Sequence, residues 1–179
     1  MKLLRTIRLD TSDTFVFKNA AEPGEWAVSG AFVFAGTAAD ALQGKSRAAF
    51  RSGFLGIDSL GWSTLVQIVE ANLSDRAAAL EMLTRRLVEH FGAPDLQAAH
   101  AAAEEEIAFA ASLCSHANGV VIAVSRSDEA GGVRETFRAL KPREGHKTPN
   151  AYAFLEVAGE DDEPAEEVDL VALANGGRK

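Results

Sequence analysis

The 179-residue sequence has little of what disulfide-bonded, secreted or membrane proteins need. Its single cysteine, Cys114, excludes an internal disulfide and predicts a small buried side chain rather than a nucleophile. No apolar run approaches the roughly 20 residues of a membrane-spanning helix. Charges at Lys2, Arg5, Arg8 and Asp10 interrupt the start of the chain and leave no apolar segment typical of a signal peptide. We therefore expect a cytoplasmic protein that has no membrane partner.

Acidic side chains outnumber basic ones, and the excess is concentrated near the C-terminus. The formal net charge is −8, and eight acids without a base lie between Glu156 and Asp169. We predict a globular domain over 1–158 and an acidic C-terminal tail over 159–179 that is loosely attached or docked. The basic residues of 134–147 offer the tail a complementary surface, but a solvated tail is favoured because exposed ion pairs contribute only about 0 to 1 kcal/mol. The acidic balance also argues against nucleic acid as a partner.

Hydrophobic periodicity predicts strands at both ends of the chain and helices in between. Alternating or wholly apolar runs predict strands over 3–9, 15–17, 26–36, 64–71, 120–124, 133–140 and 151–157. A helix over 38–52, interrupted by Gly44, precedes two stronger helices. This order predicts an α+β protein with a single domain, in which a mixed or mostly antiparallel sheet packs against two or three helices.

The two stronger helices have clear start and stop signals. Ser74 and Asp75 begin the first, and Gly92 ends it. Pro94 begins the second. The residues that would form its buried stripe recur at helical spacing and are mostly small: Leu96, Ala99, Ala103, Ile107, Ala110 and Cys114. The small side chains predict close packing of this helix.

A glycine-rich segment over 53–64 is the candidate ligand site. Its three glycines allow tight turns or close approach to a partner, and it leads into the apolar run 65–70, which predicts an interior strand. Five side chains in or beside the segment are the candidate ligand-binding residues: Arg51, Asp58, Ser59, Trp62 and Ser63. Arg51 would pair with a carboxylate or phosphate in a bidentate manner. The alternative is a structural turn.

Gly44-Lys45-Ser46 has only part of a nucleotide-binding phosphate loop. The motif needs a glycine five residues before its second glycine, and Ala39 stands there. A helix broken by Gly44 is the favoured interpretation.

Gly61-Trp62-Ser63 likewise has only the first half of a nucleophile elbow. Leu65 occupies the position of the second glycine, and the serine enters a strand rather than a strand-to-helix turn. We predict no catalytic residue here.

His100 and Glu104 lie four residues apart on the second strong helix and are two candidate metal ligands. A catalytic zinc needs three protein ligands, so a solvated acidic helix face is favoured. We expect neither a metal nor a cofactor.

Six stretches of the chain carry a resemblance that spans nearly its whole length: 2–10, 13–17, 21–32, 47–69, 103–113 and 163–170. Together they resemble a family of uncharacterised proteobacterial proteins of about this length. The resemblance brings no catalytic residues, and it implies a role linked to formate dehydrogenase maturation.

Two functions from different classes follow. The first is a non-enzymatic accessory or interaction protein that has a protein partner or forms a homo-oligomer. The second is a small-molecule-binding protein or an enzyme with its pocket at the segment 53–64.

Overall fold

The computed structural model describes residues 1–129, 132–142 and 155–158, and within them eight strands form one sheet. The strands are Lys2–Ile7 (β1), Trp26–Val28 (β2), Phe54–Gly56 (β3), Trp62–Ser63 (β4), Leu65–Glu70 (β5), Val121–Glu129 (β6), Gly132–Pro142 (β7) and Leu155–Ala158 (β8). Their order is β4-β3-β2-β1-β5-β6-β7-β8, and every neighbouring pair is antiparallel. The predicted α+β class is confirmed.

Four α-helices accompany the sheet in the part of the chain that the structure describes. They are Ser12–Val16 (α1), Gly44–Ser52 (α2), Leu73–Phe91 (α3) and Leu96–Ser112 (α4). The two long helices, α3 and α4, pack against each other, and α4 also contacts β1 and β2. None of the described helices is both long enough and apolar enough to cross a membrane.

Local capping interactions define both ends of helix α3. The Asn72 side chain accepts a hydrogen bond from the Asp75 backbone amide, and the Asp75 carboxylate accepts one from the Asn72 amide, both at 2.9 Å. This capping box satisfies two amides that a helix start leaves unpaired. Gly92 ends the helix with φ 72°, as its predicted role as a stop requires. The predicted start at Ser74 is off by one residue because Asn72 provides the cap.

Helix α4 buries the predicted small-residue stripe. Ala99, Ala103, Ile107 and Ala110 are each at most 1% exposed, and Cys114 follows them into the core. Leu96 lies outside this buried set at 68% exposure, because it occupies the first turn, immediately after the Asp95 cap. Burial raises the pKa of the Cys114 thiol to about 11, so Cys114 is protonated at neutral pH, as expected for a core residue.

The sheet curls, which brings strands that are distant in the sheet order close together. Phe54 of β3 and Phe137 of β7 have ring centroids 6.1 Å apart, although four strands separate β3 from β7. Strand β5 lies in the middle of the sheet between β1 and β6 and buries Val66 and Ile68 completely. The predicted interior strand is thereby confirmed.

The predicted strand over 15–17 is wrong, because Phe15 and Val16 belong to the short helix α1 and Phe17 is its C-cap. Asp13 is only 6% exposed; its carboxylate accepts hydrogen bonds from the amide and hydroxyl of Thr64 and lies 3.3 Å from the Ser63 hydroxyl oxygen. These contacts fix α1 against residues about 50 positions away in the sequence, where no local pattern reports them.

The predicted strand over 26–36 and helix over 38–52 are each correct in part. Strand β2 stops at Val28, and Gly30 adopts φ 77°, a left-handed conformation in which a strand cannot continue. The chain then forms short 3₁₀ turns at Ala31–Phe34 and Ala39–Ala41 before α2 begins at Gly44. Gly44 therefore starts the helix that it was expected to interrupt.

The predicted strand over 151–157 is tested only in part, because residues 143–154 lie outside the described residues. Residues Leu155–Ala158 form a strand. The predicted acidic tail, 159–179, also lies outside the described residues.

Candidate functional site

A buried arginine, Arg126, lies where the curl of the sheet brings β6 close to the end of β2. It lies on β6 directly opposite Glu135 of β7, and its side chain is 0% exposed. The Arg126 Nε atom donates to Glu135 Oε1 at 2.7 Å. Nη1 donates to the backbone carbonyls of Phe50 and Gly53 at 3.0 and 2.8 Å. Nη2 donates to the carbonyl and hydroxyl oxygens of Ser29 at 2.6 and 3.0 Å.

These contacts use all five N–H donors of the guanidinium. They join β6 to the residue after β2 and to the C-terminal end of α2, where unpaired carbonyls favour a cation. The charge is balanced by Glu135, whose Oε1 also accepts the Ser29 hydroxyl at 2.6 Å. Arg126 therefore fixes the end of α2 against the sheet, and it has no donor left for a ligand.

Glu106 of α4 faces this network, and its buried Oε2 atom has no hydrogen-bond partner in the part of the chain that the structure describes. Burial, together with the negative charges of Glu135 and Glu105, raises the pKa of Glu106 to about 7, although the positive charge of Arg126 opposes the shift. Glu106 therefore titrates near neutral pH. Since Arg126 already pairs with Glu135, a second ionised carboxylate here would have no partner of its own.

A cleft of about 330 Å³ opens beside this network; we call it the charged cleft. Its lining residues come from the second 3₁₀ turn, from α2 and from the end of β6: Ala39, Asp40, Arg47, Phe50, Arg51, Arg126, Ser127 and Asp128. Phe50 and Arg126 are buried, whereas Asp40, Arg47, Arg51 and Asp128 are exposed. The charged cleft therefore combines two buried side chains with four exposed charged side chains.

The structure places the five predicted ligand-binding residues in different surroundings. Arg51 lines the charged cleft. Asp58 lines a separate cleft of about 440 Å³, and its carboxylate lies 3.5 Å from Nη2 of Arg86. Ser59, Trp62 and Ser63 belong to a turn and strand that join β3 to β5. The described clefts therefore do not bring all five residues together, and their predicted ligand-binding role stays a prediction.

The polar groups of the segment 53–64 are engaged in internal hydrogen bonds. The Ser59 hydroxyl accepts from the Gly61 amide at 3.0 Å, and the buried Ser63 hydroxyl donates to the Leu65 carbonyl at 2.8 Å. Glu25 accepts from the amides of Asp58 and Ser59 at 3.1 and 2.8 Å. Sequence reasoning missed Glu25, because a residue more than 30 positions away leaves no local signal of this contact.

Trp62 is half-buried and stacks obliquely on Phe34 with ring centroids 5.2 Å apart. Its ring leaves no room for a side chain at two nearby glycines. A Cβ atom would lie 2.7 Å from Trp62 Cε3 at Gly53, and 3.0 Å from Trp62 Cζ3 at Gly30. These glycines therefore have a packing role in the described fold.

Gly61→Ala is expected to lower the free energy of unfolding by about 2 kcal/mol, because the backbone atoms that crowd the added methyl group cannot move without strain. The added Cβ would lie 2.5 Å from the backbone nitrogen of Ala21 and 2.6 Å from the carbonyl carbon of Ala20. Urea unfolding measures the loss. Gly36→Ala is the comparison, since nothing lies within 4 Å of its added Cβ and only its φ of 78° opposes the change. A loss at Gly61 no larger than that at Gly36 would contradict the packing argument.

Among the described residues, no group of three His, Cys, Asp or Glu side chains is placed to hold a metal ion. Glu104, one of the two candidate metal ligands, instead lies 3.3 Å from Nη2 of Arg76.

Comparison with known proteins identifies the family. A family model described as a family of unknown function (DUF6505) matches residues 1–153. The chain belongs to this family. No curated protein and no solved structure matches the chain. The predicted resemblance to an uncharacterised family is confirmed, whereas its proteobacterial origin stays a prediction. The matched residues of the family include the whole charged cleft and the Arg126 network, and they exclude the predicted acidic tail.

Proposed function

We propose that the protein binds small molecules that carry a carboxylate or phosphate group, and that the charged cleft is the binding site. The observation that carries the proposal is the pair Arg47 and Arg51. They lie four residues apart on α2, so their side chains share one face of the helix, and both line the charged cleft. Neither guanidinium forms a salt bridge with an acid that the structure describes.

An arginine fork matches the geometry of a carboxylate or phosphate and binds it through two parallel hydrogen bonds. The guanidinium groups of Arg47 and Arg51 donate no hydrogen bond to any residue that the structure describes, whereas all five N–H donors of Arg126 are already used. We therefore assign Arg47 and Arg51 the role of ligand contacts. Arg126 is a positioning residue, which holds the C-terminal end of α2 through the Phe50 and Gly53 carbonyls.

The size and polarity of the charged cleft favour a small, hydrophilic ligand. Its volume of about 330 Å³ is near the lower end of the range for small-molecule sites, roughly 300 to 1,000 Å³. Most of its lining side chains are charged or polar, and Phe50 supplies the only aromatic ring among the lining residues that the structure describes. A large apolar cofactor would not suit such a site.

Titration calorimetry of the full chain with succinate and with inorganic phosphate tests this proposal. We expect saturable binding that weakens as the salt concentration rises from about 0.02 M to about 0.3 M, since salt screens exposed charges. The double variant Arg47→Gln/Arg51→Gln is expected to raise Kd at least about tenfold.

The matched control is Arg85→Gln, which removes an exposed arginine of α3 that does not line the charged cleft. It should bind as the unsubstituted protein does. Equal affinity of the double variant and this control would overturn the proposal, as would the absence of binding at low salt.

The accessory role that the sequence predicts, including its link to formate dehydrogenase maturation, stays a prediction beside this proposal. A binding protein of this kind is compatible with it, because an accessory protein can carry or sense a small anion. Exposed apolar side chains such as Leu9 and Phe15, at 59% and 73% exposure, are also compatible with a protein partner or a homo-oligomer.

A further inference from the structure

The walls of the charged cleft carry charges of both signs. Asp40 lies on the 3₁₀ turn Ala39–Ala41, and Asp128 lies near the end of β6, while the arginines belong to α2. All four side chains line the same space, yet no described salt bridge joins any acid of the cleft to either arginine. The opposite charges therefore face one cavity without neutralising each other directly.

A ligand with a single negative charge would satisfy only part of this arrangement. Its carboxylate would pair with Arg47 and Arg51, but the two aspartates would remain without a cationic partner among the described residues. A molecule with an anionic and a cationic end would meet both sets of charges at once.

We infer that the charged cleft selects zwitterionic ligands of the amino-acid class. This inference rests on the proposed function and specifies its ligand. The carboxylate accepts hydrogen bonds from the guanidinium groups of Arg47 and Arg51, and the ammonium group donates hydrogen bonds to the carboxylates of Asp40 and Asp128. Ligand length should matter as well, because the two charged ends must reach side chains that belong to different elements.

A graded series of ω-amino acids tests the inference: glycine, β-alanine, 4-aminobutyrate and 6-aminohexanoate. Each is titrated into the full chain by calorimetry beside the carboxylate of the same length without the amine, which for 4-aminobutyrate is butyrate. At the best length, we expect the zwitterion to bind about tenfold more tightly than its carboxylate, a difference of about 1.4 kcal/mol.

The variant Asp40→Asn/Asp128→Asn separates this inference from the proposed function. It should remove the preference for the zwitterion while the carboxylate binds at least as tightly as before, since two repelling charges are lost. Glu129→Gln, at an exposed acid of β6 that does not line the charged cleft, should leave the preference unchanged.

Each outcome decides one of the two proposals. If the carboxylates bind but no zwitterion binds more tightly than its carboxylate, the inference is overturned and the proposed function stands. If the zwitterion is preferred and the Asp40→Asn/Asp128→Asn variant keeps that preference, the preference for zwitterions stands, but the assignment of the ammonium group to these aspartates is overturned. If neither class binds, both the inference and the proposed function are overturned.

Discussion

Replacing Arg126 with methionine is expected to lower the free energy of unfolding by about 3 to 5 kcal/mol, the usual cost of breaking a buried ion pair from one side. The substitution leaves the Glu135 carboxylate without its cation. It also leaves the carbonyls of Ser29, Phe50 and Gly53 without this donor. Because these carbonyls belong to α2 and to segments next to β2 and β3, the damage should reach well beyond β6.

Urea unfolding followed by circular dichroism measures the Arg126→Met effect. The matched control is Arg134→Met, which breaks an arginine–glutamate pair with Glu129 on the same two strands. That pair is exposed at 67% and 51%, so its loss should cost no more than about 1 kcal/mol. Equal losses for the two variants would contradict the central role of Arg126.

If Arg126→Met does not fold, Arg126→Lys provides a second measurement. Lysine keeps the positive charge for Glu135 but cannot reproduce the planar fork that reaches two backbone segments at once. We expect a loss smaller than that of methionine and larger than that of Arg134→Met. A lysine variant as stable as the unsubstituted protein would show that charge alone, without the fork, is sufficient.

Glu106→Gln is expected to stabilise the protein at alkaline pH by up to about 3 kcal/mol. The pKa of Glu106 is about 7 in the folded protein, whereas the ordinary pKa of a glutamate is 4.5. Because the folded protein binds this proton more tightly than the unfolded chain does, the free energy of unfolding falls as the pH rises from about 4.5 through about 7. The full loss is present above this window. The pKa difference corresponds to about 3 kcal/mol, at 1.36 kcal/mol per unit.

Urea unfolding at about pH 5 and about pH 8 checks the direction as well as the size of this effect. The gain from Glu106→Gln should be about 1 kcal/mol at the lower pH and reach its maximum at the higher one. Glu81→Gln is the matched control, since Glu81 is an exposed glutamate of α3 that is not among the charges acting on Glu106, and its effect should be small at both pH values. A gain that is the same at both pH values would show that Glu106 is not the titrating group.

These predictions also separate what sequence reasoning found from what it missed. The long helices α3 and α4 and the interior strand β5 were predicted because their signals are local. A helix stripe repeats every three or four residues, and the Gly92 stop adjoins the helix that it ends. The α+β class follows from the order of such elements.

The Arg126 network could not be predicted in the same way. Its hydrogen bonds to Ser29, Phe50 and Gly53 connect residues 97, 76 and 73 positions apart in the sequence. In the sequence, Arg126 is one polar residue at the end of an apolar run, which is typical of a solvated strand end. Only the curl of the sheet places it in the interior, where an unpaired cation would be costly and every donor therefore needs an acceptor.

By itself, the sequence determined the class of fold, the existence of the two longest helices with their bounds to within about two residues, and the membership of an uncharacterised family. Of the residues that line the charged cleft, it singled out only Arg51 as a ligand contact. The tertiary structure decided that Arg51 lines one cleft with Arg47, Asp40 and Asp128, and a different cleft from Asp58. The physical reason is that local pattern specifies elements, whereas a site assembled from α2, a 3₁₀ turn and β6 exists only after long-range contacts have brought these elements together.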